Sequence, residues 1–204
     1  MALEFQRSTI AAVRAALPEH QVIEKPRTPA WLNRPGSTDC GDAWPLVRTI
    51  YRQLAAADLP EVMPPRERRS LDAVILGPDG HSRILEVDET QHFNEFRALT
   101  LQPYPASART AFDRQDWIDR SRAKTRLEGG GFGARKPPLF PGQHGRHRQR
   151  AFRDALADLL PPLHGWEPTL RIHHGEAQSW IDDVDAPGRM RELLAEKLPR
   201  EQNS

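Results

Sequence analysis

Apolar positions along the chain recur with two different periods. From Ala2 to Leu17 they fall at helical spacing (Leu3, Ile10, Val13, Leu17), which predicts an amphipathic helix ended by Pro18. Glu4, Arg7 and Arg14 interrupt that stretch, so it reads as a helix rather than a signal peptide. Residues 18–41 hold Pro18, Pro26, Pro29 and Pro35 and predict an extended surface connection. Trp44, Val47, Ile50, Tyr51 and Leu54 form the next helical stripe, with Asp42 as its N-cap and Pro45 in its first turn. EVMPPRERRS then reads as a loop or edge.

The period changes in LDAVILGPDGHSRILEVDETQHF, from Leu71 to Phe93. Two short apolar runs flank GPDGH, where Pro78 and Asp79 suit a type I turn and Gly80 the left-handed residue after it. This predicts a hairpin with a three-residue loop. In that register Gly77 faces His81, and counting back sets Asp72 opposite Glu86. Directly opposed residues share a face, and so do Glu86 and Asp88, two apart on one strand. Asp72, Glu86 and Asp88 are therefore expected to converge, provided the register does not slip by one.

Downstream, NEFRALTLQPYP starts a helix that Pro103 and Pro105 break. A charged helix is expected from about Ala111 to Leu127, stopped by the glycines from Gly129. GGGFGARKPPLFPGQHGRHR reads as a flexible basic loop. Phe152, Leu156, Leu159 and Leu160 mark another helix, EPTLRIHHGE a strand, and APGRMRELLAEKL a last helix before a fraying REQNS. The order predicts one mixed α/β domain with helices around a small sheet, over 1–204. Within it lie an N-terminal helix and Pro-rich extension (1–41), a core (42–128) containing the hairpin 71–90, the basic loop (129–148) and a C-terminal helix–strand–helix (149–204).

Composition narrows the chemistry. A net charge of +1 announces no global polyanion partner. It hides a basic middle: from Arg114 to Arg153 there are eleven Lys and Arg against three acids. Lys124, Arg135, Lys136, Arg146, Arg148 and Arg150 are the candidate nucleic-acid contacts, holding backbone rather than reading bases. A solvated, Arg-rich surface is the alternative. The glycines match neither a Walker A loop nor a dinucleotide fingerprint. One cysteine, Cys40, excludes an internal disulfide, fits a reducing cytosol and reads as a small unreactive residue. No apolar run approaches a membrane span, so a cytoplasmic protein with no membrane partner is expected. His144, His147, His173 and His174 lack the context of a zinc site. Trp117 and Trp180 suit packing.

Carboxylates inside apolar strands need a partner. Clustered, they would repel one another, and a hard divalent cation such as Mg²⁺ or Mn²⁺ relieves this. A solvated face with Arg68, Arg69 and Arg83 as partners does so too.

The flanking residues add a resemblance. Asp72, a thirteen-residue gap, then Glu86-Val87-Asp88-Glu89 and Gln91-His92-Phe93 resemble the PD-(D/E)XK nuclease superfamily. ILEVDETQHF resembles a branch related to the very-short-patch repair endonucleases, and the likeness covers about 25 to 30 residues. It implies an α/β fold of the restriction-endonuclease-like kind, a small mixed sheet flanked by helices. It implies metal-dependent hydrolysis of phosphodiesters, in DNA first and RNA second, with a homodimer as a common form. The metal ligands it implies are Asp72, Glu86 and the Val87 carbonyl, with Asp88 joining them. Two positions depart from the pattern. Asp88 stands where the superfamily has Lys, and Glu89 where the branch often has Gly. The lysine's role would then pass to His92, Gln91 or Lys124, His92 acting as base or phosphate contact. Glu89 is a weaker candidate because alternation points it away. Loss of that lysine also allows a catalytically degenerate domain that binds nucleic acid or protein.

Overall fold

The computed structural model describes residues 2–64, 69–127 and 129–198. Arg68 and residues 200–204, whose pairing and fraying the sequence suggests, lie outside them. Four strands form one sheet in the order β1 (Gln21–Glu24), β2 (Ala73–Leu76), β3 (Ser82–Asp88) and β4 (Glu167–His173). The first three are antiparallel neighbours, and β4 lies parallel to β3. A parallel neighbour requires a long crossover. Here it is supplied by α5 (Glu95–Leu101), α6 (Arg114–Ala123) and α7 (Gly145–Leu159).

Both faces of the sheet are covered, which explains why its central strands read as nearly continuous apolar runs. Ala73, Ile75, Leu85, Val87, Leu170 and Ile172 pack on α1 (Ala2–Ala16) and α9 (Ala186–Lys197). Val74 and Ile84 face the larger core built by α4 (Trp44–Ala55), α5, α6 and α7. The fold is a mixed α/β arrangement with an open four-stranded sheet between helical layers. Among the described residues no helix is long and apolar enough to cross a membrane.

The hairpin has the register its turn residues require. Leu76 pairs Ser82 and Ala73 pairs Leu85. The Gly77 N–H donates to the His81 carbonyl at 2.9 Å, and Gly80 sits at φ +83°, a conformation that glycine takes without strain.

Several expectations are corrected. Residues 18–41 are not a bare connection. They hold strand β1 and the short helices α2 (Ala30–Asn33) and α3 (Ser37–Cys40), and Leu32 and Cys40 are buried. Asp42 lies in a 3-10 turn, so the N-cap of α4 is Ala43. The charged helix α6 is shorter than expected, beginning after its N-cap Asp113, which accepts from the Gln115 and Asp116 N–H groups.

The basic loop is not free either. The Lys136 and Phe140 backbones exchange hydrogen bonds at 2.7 and 2.8 Å, and the Arg146 N–H donates to Ala134. Leu139 and Phe140 are buried. Helix α7 begins at Gly145, so Arg146 and Arg148 belong to a rigid helix. Gly145 is required there because a Cβ would lie 2.4 Å from the Phe140 carbonyl oxygen.

Candidate functional site

A cleft of about 170 Å³ opens between the sheet and α7. It is lined by Asp72 and Glu86 from the hairpin, by Arg69 and Ser70 just before β2, and by His92 beyond β3. Helix α7 closes it with Arg146, Gln149, Arg150, Arg153 and Asp154. Positions 146, 150 and 153 follow helical spacing, so their guanidinium groups share one side of α7. Phe152 and Leu156, on another side, enter the core.

The two hairpin carboxylates are held differently. Asp72 Oδ2 accepts the Val87 N–H at 2.8 Å, which ties the start of β2 to β3. Burial pushes the Asp72 carboxyl above the ordinary range, against the pull of that N–H group and of His92. Glu86 Oε1 accepts from Arg69 Nη2 at 3.1 Å, and Arg69 also donates to the Arg153 carbonyl of α7. Burial, and then the neighbouring Asp72 charge, raise Glu86 to about 7 despite Arg69.

Asp88 departs from its expected role. It shares the face of Glu86, but it is fully buried and does not line the cleft. Arg171 Nη1 reaches both its oxygens, at 2.8 and 2.9 Å, and the Trp117 indole N–H donates to Oδ2 at 2.8 Å. Burial would raise its carboxyl, but Arg171 and then His92 outweigh this and hold it below the usual value. Arg171 continues to Asp158 at 2.7 Å, and Asp158 accepts from Arg97 at 2.7 Å and from the Tyr104 hydroxyl at 2.8 Å. The result is a closed, buried ion network in which every charge has a partner.

His92 stands between this network and the cleft. Its Nδ1 lies 3.2 Å from Asp154 Oδ2 and 3.3 Å from Asp88 Oδ1. Burial lowers its pKa, but the two carboxylates raise it more, so the net direction is upward. Asp154 goes well below the usual carboxylate range: Arg171 and His92 overcome its burial.

Other sequence candidates lie apart. Gln91 Nε2 donates to Glu89 at 2.6 Å, and neither residue lines the cleft. Lys124 Nζ donates to the Thr90 carbonyl at 2.6 Å. Arg148 donates to the Leu54 carbonyl and lies 4.5 Å above the Phe96 ring, a structural use. Arg135 is exposed and Lys136 half-buried on the pinned loop. Of the six basic candidates, only Arg146 and Arg150 reach the cleft.

Arg171 and Asp154 were not found from sequence. The signal for Arg171 was a cation in the apolar run TLRIH, the mirror image of carboxylates in ILEVD. Asp154 could have been found only with α7 placed over the hairpin.

Among the described residues no three His, Cys, Asp or Glu groups converge tightly enough to hold a metal ion by themselves. Three carboxylates line the cleft, and Asp154 is engaged by His92 and Arg171, which leaves two, Asp72 and Glu86. That number suits Mg²⁺, which binds one or two carboxylates and completes its shell with water and phosphate oxygens. The raised Glu86 carboxyl also marks a place where added positive charge would be favourable. No known family model matches the chain, and neither do curated proteins or solved structures.

Proposed function

We propose that the chain is a metal-dependent phosphodiesterase acting on DNA, with RNA as a second substrate. The observation that carries this reading is the cross-strand pair Asp72 and Glu86 in one cleft with Arg146, Arg150 and Arg153 of α7. The Asp72 and Glu86 carboxylates on the sheet side and the three arginines of α7 suit a cation and a phosphate side by side.

Asp72 and Glu86, with the Val87 carbonyl, would hold Mg²⁺ or Mn²⁺. The bound ion would supply a water of lowered pKa and neutralise phosphate charge. The chain's own residues position the reaction. The Val87 N–H fixes the Asp72 carboxylate, and the α7 arginines hold phosphate oxygens through charge-assisted hydrogen bonds. Asp154 and Asp88 fix His92 in the cleft lining, where it can contact phosphate.

A second reading is favoured by one specific contact. Arg69 already places a cation on Glu86, and Asp88 is occupied by Arg171. The same cleft could therefore bind nucleic acid without cutting it.

The deciding experiment is cleavage of labelled DNA with Mg²⁺ or Mn²⁺ by wild type, Asp72→Ala and Glu86→Ala, with folding checked by circular dichroism. Cleavage lost in both folded variants supports the phosphodiesterase. Cleavage equal to wild type in both would remove this site assignment, and DNA binding without cleavage would favour the second reading.

A further inference from the structure

We infer that the cleft takes the terminal phosphate of a nucleic-acid strand, so that a substrate is engaged at its end. The inference deepens the phosphodiesterase reading and rests on it for the claim that the bound strand is then cut.

The first ground is where the cations sit. Arg146, Arg150 and Arg153 are half-buried along the α7 side of one cavity, and Arg69, paired with Glu86, lines it from the sheet side, whereas Lys124 and Arg148 do not line it. A protein that grips a duplex along its backbone spreads its cations over an exposed face. Here they converge on a volume of about 170 Å³ that Arg69 and His92 also line. Such a recess admits a chain end more readily than a continuous backbone.

The second ground is charge. An internal phosphodiester carries one negative charge. A terminal phosphomonoester carries about −1.5 to −2 at neutral pH and offers three acceptor oxygens. The three α7 guanidinium groups, each a planar donor fork, match the second better than the first, while Arg69 offsets the Glu86 charge beside them. The Arg69 contact to the Arg153 carbonyl links the sheet side to α7, so cations from two separate elements frame the same space.

The test is binding without metal. Three single strands of one sequence would be compared by fluorescence anisotropy in EDTA: one with a 5′-phosphate, one with a 3′-phosphate and one with hydroxyl ends. One phosphorylated strand should bind tighter than the hydroxyl strand by on the order of tenfold. Inorganic phosphate should compete with it on the wild-type protein, a readout that needs no variant. Arg150→Gln and Arg153→Gln should each remove most of the preference, and Arg135→Gln, on the exposed loop, should not. Equal binding of all three strands overturns the inference, as does a preference that survives both α7 substitutions.

Closed circular DNA separates the two readings. Circles cut with Mn²⁺ as fast as linear DNA would keep the phosphodiesterase and refute end recognition. End preference with no cutting of any DNA would keep end recognition and refute hydrolysis.

Discussion

Arg171 Nη1 binds both carboxylate oxygens of Asp88, at 2.8 and 2.9 Å, in a part of the sheet where neither side chain meets solvent. The pair divides the acidic residues of the hairpin into two kinds. Asp72 and Glu86 face a cleft, whereas Asp88 is the anchor of a cation buried beneath it.

Stability should separate them. Removing Asp88 leaves Arg171 short of one partner inside the protein, and breaking a buried pair from one side costs about 3–5 kcal/mol. Asp88→Ala should therefore lower the unfolding free energy by about that amount. Asp72→Asn gives up only part of one hydrogen bond to the Val87 N–H and should lose about 1 kcal/mol. Urea denaturation of the two variants checks this. Comparable losses would mean that Asp88 is not the structural anchor described here.

Cation binding should depend on pH because Glu86 must release a proton to become a ligand. Its carboxyl lies at about 7, above its ordinary value, so the folded protein holds this proton more firmly than the unfolded chain does. By itself that contribution to stability is present in acid and fades as pH rises through 7. A metal ion competes with the same proton. Mn²⁺ affinity by calorimetry should be about tenfold weaker at pH 6 than at pH 8, with proton release near neutrality. A flat profile would show that Glu86 is not a ligand.

Much of this arrangement was legible in the sequence, for local reasons. The turn GPDG sets the hairpin register, and the register sets Asp72 across from Glu86. Strand β1 was not legible. Its four residues, Gln21 to Glu24, lie among prolines and bury only Val22, too little alternation to read as a strand. Arg171 and Asp154 belong to elements 83 and 66 positions beyond Asp88, and only tertiary packing brings them together. The basic segment misled because glycines and prolines usually mark freedom. Here Gly145 lets the 134–140 backbone lie directly on the start of α7.

His173 makes acid stability testable. It is fully buried against Phe93 and Trp117, with Nε2 3.2 Å from Asp116. Burial, and then Arg120, lower it to about 4. The unfolded chain therefore takes up a proton between about pH 6.5 and 4 that the folded protein refuses, so stability falls as pH falls through that window. Glu86 works in the opposite sense over part of the same range, so a variant must isolate the histidine. Urea midpoints should fall less steeply in acid for His173→Phe than for wild type. Parallel curves would show that His173 does not carry the acid sensitivity.

Gly145 ties the pinned loop to the cleft. An alanine Cβ there would lie 2.4 Å from the Phe140 oxygen and 2.7 Å from the Lys136 nitrogen, both backbone atoms. Backbone cannot rotate aside as a flexible side chain can, so the 134–140 segment must lift away from α7. Gly145→Ala should cost about 1–3 kcal/mol, the usual scale of overpacking. Helix propensity alone predicts the opposite sign, since alanine is the better helix former. Hydrogen exchange should show the Phe140 and Arg146 amides losing protection, because their partners are Lys136 and Ala134. Arg146 and Arg150 lie within the next two turns, so phosphate binding should weaken in the same variant. Equal or greater stability with unchanged amide protection would show that the loop does not rest on α7 through this contact.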